Sequence, residues 1–153
     1  ATALYEASQP TFKEYGQQIV KNAKALAASL LEQDFTLVTG GTDNHLLLVD
    51  LTNKSVSGKE AEQALDNIGI TCNKNSIPFD TRKPFDPSGL RLGTPALTTR
   101  GFTENDMRVI GTLIAKTIDS IKKGKTSVLG EVRATVRELC AAHPIYSNLA
   151  YVI

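Results

Sequence analysis

The sequence predicts a small α/β layer domain, with helices covering one face of a mainly antiparallel sheet. Three observations lead there. Apolar stripes at helical spacing occupy the beginning and the last third of the chain. Short apolar runs bounded by glycines fill the middle. A capped helix separates the first two of those runs from the others. With 153 residues the chain has room for one compact domain with its own core, and not comfortably for two.

The first helix is read from Phe12, Tyr15, Ile19, Ala23, Leu26 and Leu30, which recur every three or four residues. Pro10 suits its first turn, where a missing N–H costs nothing. The chain opens without Met and is helical in character from the start, as suits a processed terminus or a piece of a longer protein. Phe35 to Thr39 reads as a short strand stopped by Gly40 and Gly41. His45 to Leu51 reads as a second, whose unbroken apolar run predicts burial on both faces or a central position. Ser57 with Glu60 makes a capping box for a helix striped by Ala61, Ala64, Leu65 and Ile68, with Gly69 placed for a left-handed end. Ile70 to Asn73 starts another strand, and Leu90 to Leu92 a further one between Gly89 and Gly93. Thr103 and Asp106 cap a helix with Met107, Ile110, Leu113, Ile114, Thr117 and Ile121 inside, ending near Gly124. A last helix carries Val128, Val132, Val136 and Leu139, and Pro144 closes it.

Composition narrows the function. Hydrophobic residues make up 41% and charged residues 22%, and the net charge is +1, so no overall field draws the chain to nucleic acid or an anionic membrane. Arg82, Arg91 and Arg100 come with no stacking aromatics beyond Phe79, Phe85 and Phe102, which leaves nucleic-acid binding unsupported. Cys72 and Cys140 lack ligand or redox spacing and read as reduced thiols, while His45 and His143 stand apart, so no metal site is expected. No apolar run nears membrane length and no signal pattern opens the chain, so a soluble, cytoplasmic protein is expected.

Residues 73 to 102 hold four of the six prolines. Arg91 lies among small residues, Ser88 and Gly89 before it and Gly93 and Thr94 after, so its planar fork could reach a carboxylate in a cleft. The same pattern fits a surface arginine on an edge strand. Asn73, Lys74 and Asn75 offer amides and an ammonium to a polar ligand, or else make a turn. Pro78, Pro84 and Pro87 stiffen the loop. Arg82 and Arg100 read as solvated charges or ion pairs. In "GGTDNH" the glycines precede a strand and not a helix, so turn anchoring is favoured over phosphate binding. No nucleophile context is present. From residues alone the stretch is a rigid polar loop able to recognise an anion.

The runs "GGTDNHLLLVDL", "SGKEAEQALDNIGITCNKNSIPFD" and "KPFDPSGLRLGTPALTTRGF", in this order, resemble the C-terminal part of the serine hydroxymethyltransferase family. The opening "FKEYGQQIVKNAKALA" resembles that family's helix between its large and small domains. The resemblance implies the fold of the aspartate-aminotransferase-like pyridoxal-phosphate enzymes, and interconversion of serine and glycine with a one-carbon unit passed to tetrahydrofolate. It implies that residues 1–33 are the interdomain helix and 34–153 the C-terminal small domain, with the cofactor-binding large domain outside this chain. Arg91 is implied to grip the substrate carboxylate, Asn75 to bind the pterin, and Lys83, Pro84 and Phe85 to line the folate site. Asp86 and Pro87 depart from the commoner "VTSGIR" pattern. Nothing matches the threonine-rich context of the Schiff-base lysine, so no catalytic residue is expected here and the chain alone is expected inactive. A homodimer or higher oligomer is implied for the whole protein. The alternative is a free-standing small-molecule-binding or interaction module on the same layer.

Overall fold

Pro10 opens the long helix α2 (Pro10–Glu32), which follows a short α1 (Thr2–Ala7). Its apolar stripe is used unevenly. Ala23, Leu26 and Leu30 are buried, whereas Phe12 is 47% exposed and the half before Asn22 touches little of the core. The computed structural model describes residues 1–124 and 127–145. Among them the remaining helices are α3 (Gly58–Asn67), α4 (Pro95–Thr99), α5 (Glu104–Lys123) and α6 (Ser127–Ala142).

Four strands form one antiparallel sheet in the order β1-β2-β4-β3, with β1 at Thr36–Leu37, β2 at Leu46–Asp50, β3 at Asn73–Asn75 and β4 at Gly89–Gly93. The β2 run is central, as its apolar character predicts, but it is buried on one face only. Leu47 and Val49 face the helices, and Leu46 and Leu48 face the other way. The period of two that β structure imposes is hidden here by apolar residues on both sides. The third strand begins three residues later than Ile70, because Ile70 and Cys72 pack against the core beneath α3 and pairing with β4 starts at Asn73↔Arg91.

The predicted capping box at Ser57 and the predicted cap at Thr103 both form. The Ser57 side chain accepts the Glu60 N–H at 3.2 Å and Glu60 returns a carboxylate to the Ser57 N–H at 2.8 Å. Asp106 accepts the Thr103 N–H at 2.7 Å. Helices end at Gly69 (φ +90°) and Gly124 (φ +62°) as their positions suggest. The core joins α2, α5 and the inner face of the sheet through Leu30, Val49, Leu65, Leu90, Met107, Ile114 and Ile118, each at most 2% exposed. The approach of α2 to α5 is close enough that a Cβ at Gly111 would collide with the Ser29 side chain.

Three elements went unread in the sequence, one of them a short 3-10 turn at Thr52–Lys54. The single turn α4 follows β4 directly, started by Pro95, and α1 lies ahead of the stripe. Buried Thr94 joins α4 to α2, since its hydroxyl donates to the Ile19 carbonyl at 2.9 Å. Among the described residues no helix is long and apolar enough to cross a membrane, and no group of three or more His, Cys, Asp or Glu gathers for a metal.

Candidate functional site

Alternation along β4 decides which of its side chains can meet a ligand. Leu90 and Leu92 enter the core, so Arg91 stands on the opposite, uncovered face. Its cross-strand neighbours there are Leu48 on β2 and Asn73 on β3. The guanidinium has no hydrogen-bond or ion-pair partner among the described residues. It is an exposed fork on a central strand, not on an edge.

A cavity of about 780 Å³ opens beside it, and Asn75 and Arg91 both line it. Leu46, Leu47 and Leu48 of β2 also line it, together with the α2 residues Lys24, Ala27, Ala28 and Leu31. The rim is the turn Thr39 to Asn44, which the sequence suggested only as an anchor. That turn is tied down. The Thr42 hydroxyl donates to the Leu46 carbonyl at 2.7 Å, and the Asn44 side chain accepts the Leu46 N–H at 2.8 Å. Apolar lining, polar rim and one unpaired guanidinium suit a small anion with a short apolar body.

Asn75 is half-buried, and its amide donates to the Ser76 carbonyl at 2.7 Å, which leaves its own carbonyl oxygen for a ligand. Lys74 is not available. Its ammonium pairs with Glu62 of α3 at 2.6 Å on the helical side of the sheet, and its N–H also donates to Glu62. These bonds hold the Glu62 carboxyl below its ordinary range. Lys83, Pro84 and Phe85 are exposed, with the Lys83 ammonium 5.7 Å from the Phe85 ring centre. Phe85 borders a separate hollow of about 470 Å³ with Ser55, Ser57, Lys59 and Arg82. Asn75 and Phe85 therefore belong to different concavities of this chain.

The loop between β3 and β4 is organised by a residue that drew no notice in the sequence. Asp80 accepts the N–H groups of Ile77 (3.2 Å), Arg82 (3.0 Å) and Ser88 (2.9 Å) and the Ser88 hydroxyl (2.7 Å). Chiefly through the Ser88 N–H, and next its hydroxyl, the carboxyl is held well below the usual range. The signal in the sequence was an acidic residue two positions after a Pro and followed by polar residues, a common turn pattern that says nothing of partners eight residues away. Arg82 pairs with Asp86 at 3.2 Å, while the other Asp86 oxygen, Oδ1, is buried without a partner among the described residues.

Arg100 is neither solvated nor ion-paired. Its guanidinium donates to the carbonyls of Cys140 (3.1 Å) and His143 (2.8 and 2.9 Å), satisfying the open end of α6. Burial, then the charges of Glu62 and Asp66, push the Cys72 thiol up to about 12, so it is inert as a nucleophile.

Residues 1–114 match the family model described as Serine hydroxymethyltransferase. The chain belongs to the serine hydroxymethyltransferase family. Curated proteins named serine hydroxymethyltransferase from Novosphingobium aromaticivorans and Erythrobacter litoralis are 52% and 53% identical to it over 97% and 95% of its length. One from Coxiella burnetii is 51% identical over 97%. The chain spans 35% of the length of each. The serine hydroxymethyltransferase match takes in all four strands, the Asp80 loop and Arg91, and ends within α5.

Proposed function

We propose that this chain is the C-terminal small-domain part of an enzyme that interconverts serine and glycine with transfer of a one-carbon unit to tetrahydrofolate. In this reading residues 1–33 lead in from a large domain, residues 34–153 form the small domain, and the whole protein is a cytoplasmic homodimer or larger oligomer. The observation that carries it is the unpaired Arg91 guanidinium on the uncovered face, sharing one cavity with Asn75. Family membership supports the reaction, and the geometry is consistent with the role.

Arg91 binds the amino acid's carboxylate through two parallel charge-assisted hydrogen bonds, which fixes both position and orientation. Asn75 offers its carbonyl oxygen to a ring N–H of the folate. Lys83, Pro84 and Phe85 are then folate contacts only if the folate, or polypeptide beyond this chain, bridges the two hollows. Pyridoxal phosphate does not fit the residues present. The cavity lining has no aromatic ring to face a pyridine, and its one lysine, Lys24, is exposed on α2. In this reading the cofactor sits on other polypeptide, and this chain alone neither binds it nor turns over.

The test is Arg91→Ala and Arg91→Lys in the full-length protein. Two hydrogen bonds to a charged group at about 1.5–3 kcal/mol each predict a loss of kcat/KM for serine of about 100-fold or more in Arg91→Ala. Arg91→Lys keeps the charge without the fork and falls between. An unchanged KM for serine in Arg91→Ala overturns the assignment.

A further inference from the structure

The two residues assigned to ligands lie on different strands, and thirteen residues, 76 to 88, separate the end of β3 from the start of β4. A connection of that length does not by itself hold Asn75 and Arg91 in fixed relation. The short three-pair ladder of β3 and β4 sets their register, and Asp80 reinforces it at the loop end. Its Oδ2 accepts from Ile77, two residues beyond Asn75, and from Ser88, three residues before Arg91. Its Oδ1 accepts the Ser88 hydroxyl and the Arg82 N–H. One carboxylate thus closes the loop at its neck, directly beyond the last register pair, Asn75↔Gly89.

The neck has little slack. A Cβ at Gly89 would lie 2.7 Å from the Ile77 side chain, 2.8 Å from the Asn75 carbonyl and 2.9 Å from that of Val49. Ser88 also accepts the Leu51 N–H at 2.9 Å, and Pro87 accepts that of Gly58 at 2.7 Å, so the strand side of the neck is anchored to the body of the domain. A shift of the Ile77 side would therefore move β3 against β4, displacing Asn75 directly and disturbing Arg91 through its cross-strand partner Asn73.

We propose that Asp80 is a positioning residue for the substrate and folate contacts, holding Asn75 in register with Arg91 by clamping both ends of the loop. This rests on the reading of Arg91 and Asn75 given above. Asp80 touches neither ligand. Its effect passes through the separation of two strands, and so falls on the binding of both ligands together.

The experiment is a double-mutant cycle in the full-length, cofactor-loaded protein, using Asp80→Asn, Arg91→Ala and the pair. Asparagine keeps the shape of Asp80 but loses its charge and one of its two acceptor oxygens, so at least one N–H of the loop is left unpaired and the bonds that remain become weaker neutral ones. The expected result is a KM for serine and a Kd for tetrahydrofolate each raised about tenfold in Asp80→Asn, with a much smaller serine penalty when Arg91 is already alanine. Thermal unfolding of the folded variant, measured alongside, separates this from simple loss of stability. A lower Tm with both constants unchanged overturns the proposal, as does a serine penalty that adds in full to that of Arg91→Ala. If Asp80→Asn does not fold, Ser88→Ala removes one of the four bonds and is expected to raise both constants two- to threefold. Unchanged constants in that variant overturn the proposal equally. Should Arg91→Ala itself leave serine binding untouched, the site assignment fails and the inference falls with it. A strong Arg91 effect without coupling defeats the inference alone.

Discussion

Asn22 is wholly buried on α2, and every polar atom of its side chain is used. Its amide donates to the Thr98 hydroxyl and the Phe102 carbonyl, both at 2.9 Å, and its oxygen accepts from Gln18 at 3.0 Å. It is the polar bolt between α2 and the turn after α4. Asn22→Ala leaves the Phe102 carbonyl without this partner and opens a small void, so a loss of about 1–3 kcal/mol is expected in urea unfolding. A change within a few tenths would mean that water or a neighbouring group replaces the amide. Nothing in the sequence marked this residue. An Asn inside an apolar helical stripe reads as one of its polar gaps, and only the arrival of α4 and Phe102 from some eighty residues away turns it inward. Arg91 was the opposite case. Its small neighbours made it noticeable, but they do not say which face of the sheet is covered.

Among elements, the caps were the most legible because their chemistry is local. Ser57 and Glu60, or Thr103 and Asp106, need only each other. The loop from 76 to 88 is held by side-chain to backbone bonds of longer reach, and its stability should follow pH. The Asp80 carboxyl is depressed in the folded state, so its bonds contribute fully above the ordinary carboxylate pKa of about 4 and fade as pH falls below it. The contribution vanishes only when the folded-state carboxyl itself takes a proton. Amide exchange at Ile77, Arg82 and Ser88, corrected for intrinsic rates, is therefore expected to lose part of its protection between roughly pH 5 and pH 3 and the rest only at lower pH, while the α5 amides hold. Asp80→Asn, with no carboxyl to titrate there, should show lower protection than wild type and no such pH dependence. Equal protection of the wild-type loop across that range would show that the prolines alone hold it. The short strands were read with displaced ends because their boundaries depend on partners. β3 begins where Arg91 offers a ladder, not where β propensity rises.

At the scale of the molecule, the core is continuous from α2 through α5 to the inner sheet face, with α6 laid over it through Val132 and Val136. Part of the apolar surface left over lies at one end. Leu4 is 79% exposed, Tyr5 69% and Phe12 47%, all on α1 and the unburied half of α2. Side chains of this kind clustered outside a core favour association. The isolated chain is expected to self-associate at micromolar concentration, and Leu4→Ser with Tyr5→Ser to shift it toward monomer in sedimentation velocity. A monomeric wild type over that range would show the patch too small to drive contact. The cavity beside Arg91, with Leu46 exposed and Leu48 half-buried, is another uncovered surface, and in the proposed reading ligand and the rest of the enzyme share it.

Sequence by itself determined the class of fold, the order of its main elements, the helix ends and the family. Those follow from spacings of two to four residues and from long matching blocks, which need no knowledge of distant contacts. Tertiary structure alone decided which face of the sheet stays open, that the turn at 39–44 rims the same cavity as Arg91 and Asn75, that Lys74 is spent on Glu62, that Arg100 closes α6, and that Asp80 clamps the loop. The physical reason is common to all five. Each depends on a hydrogen bond, an ion pair or a shared wall between residues that are not local neighbours in the chain, and such pairings exist only once the sheet register and the helix layer have been set.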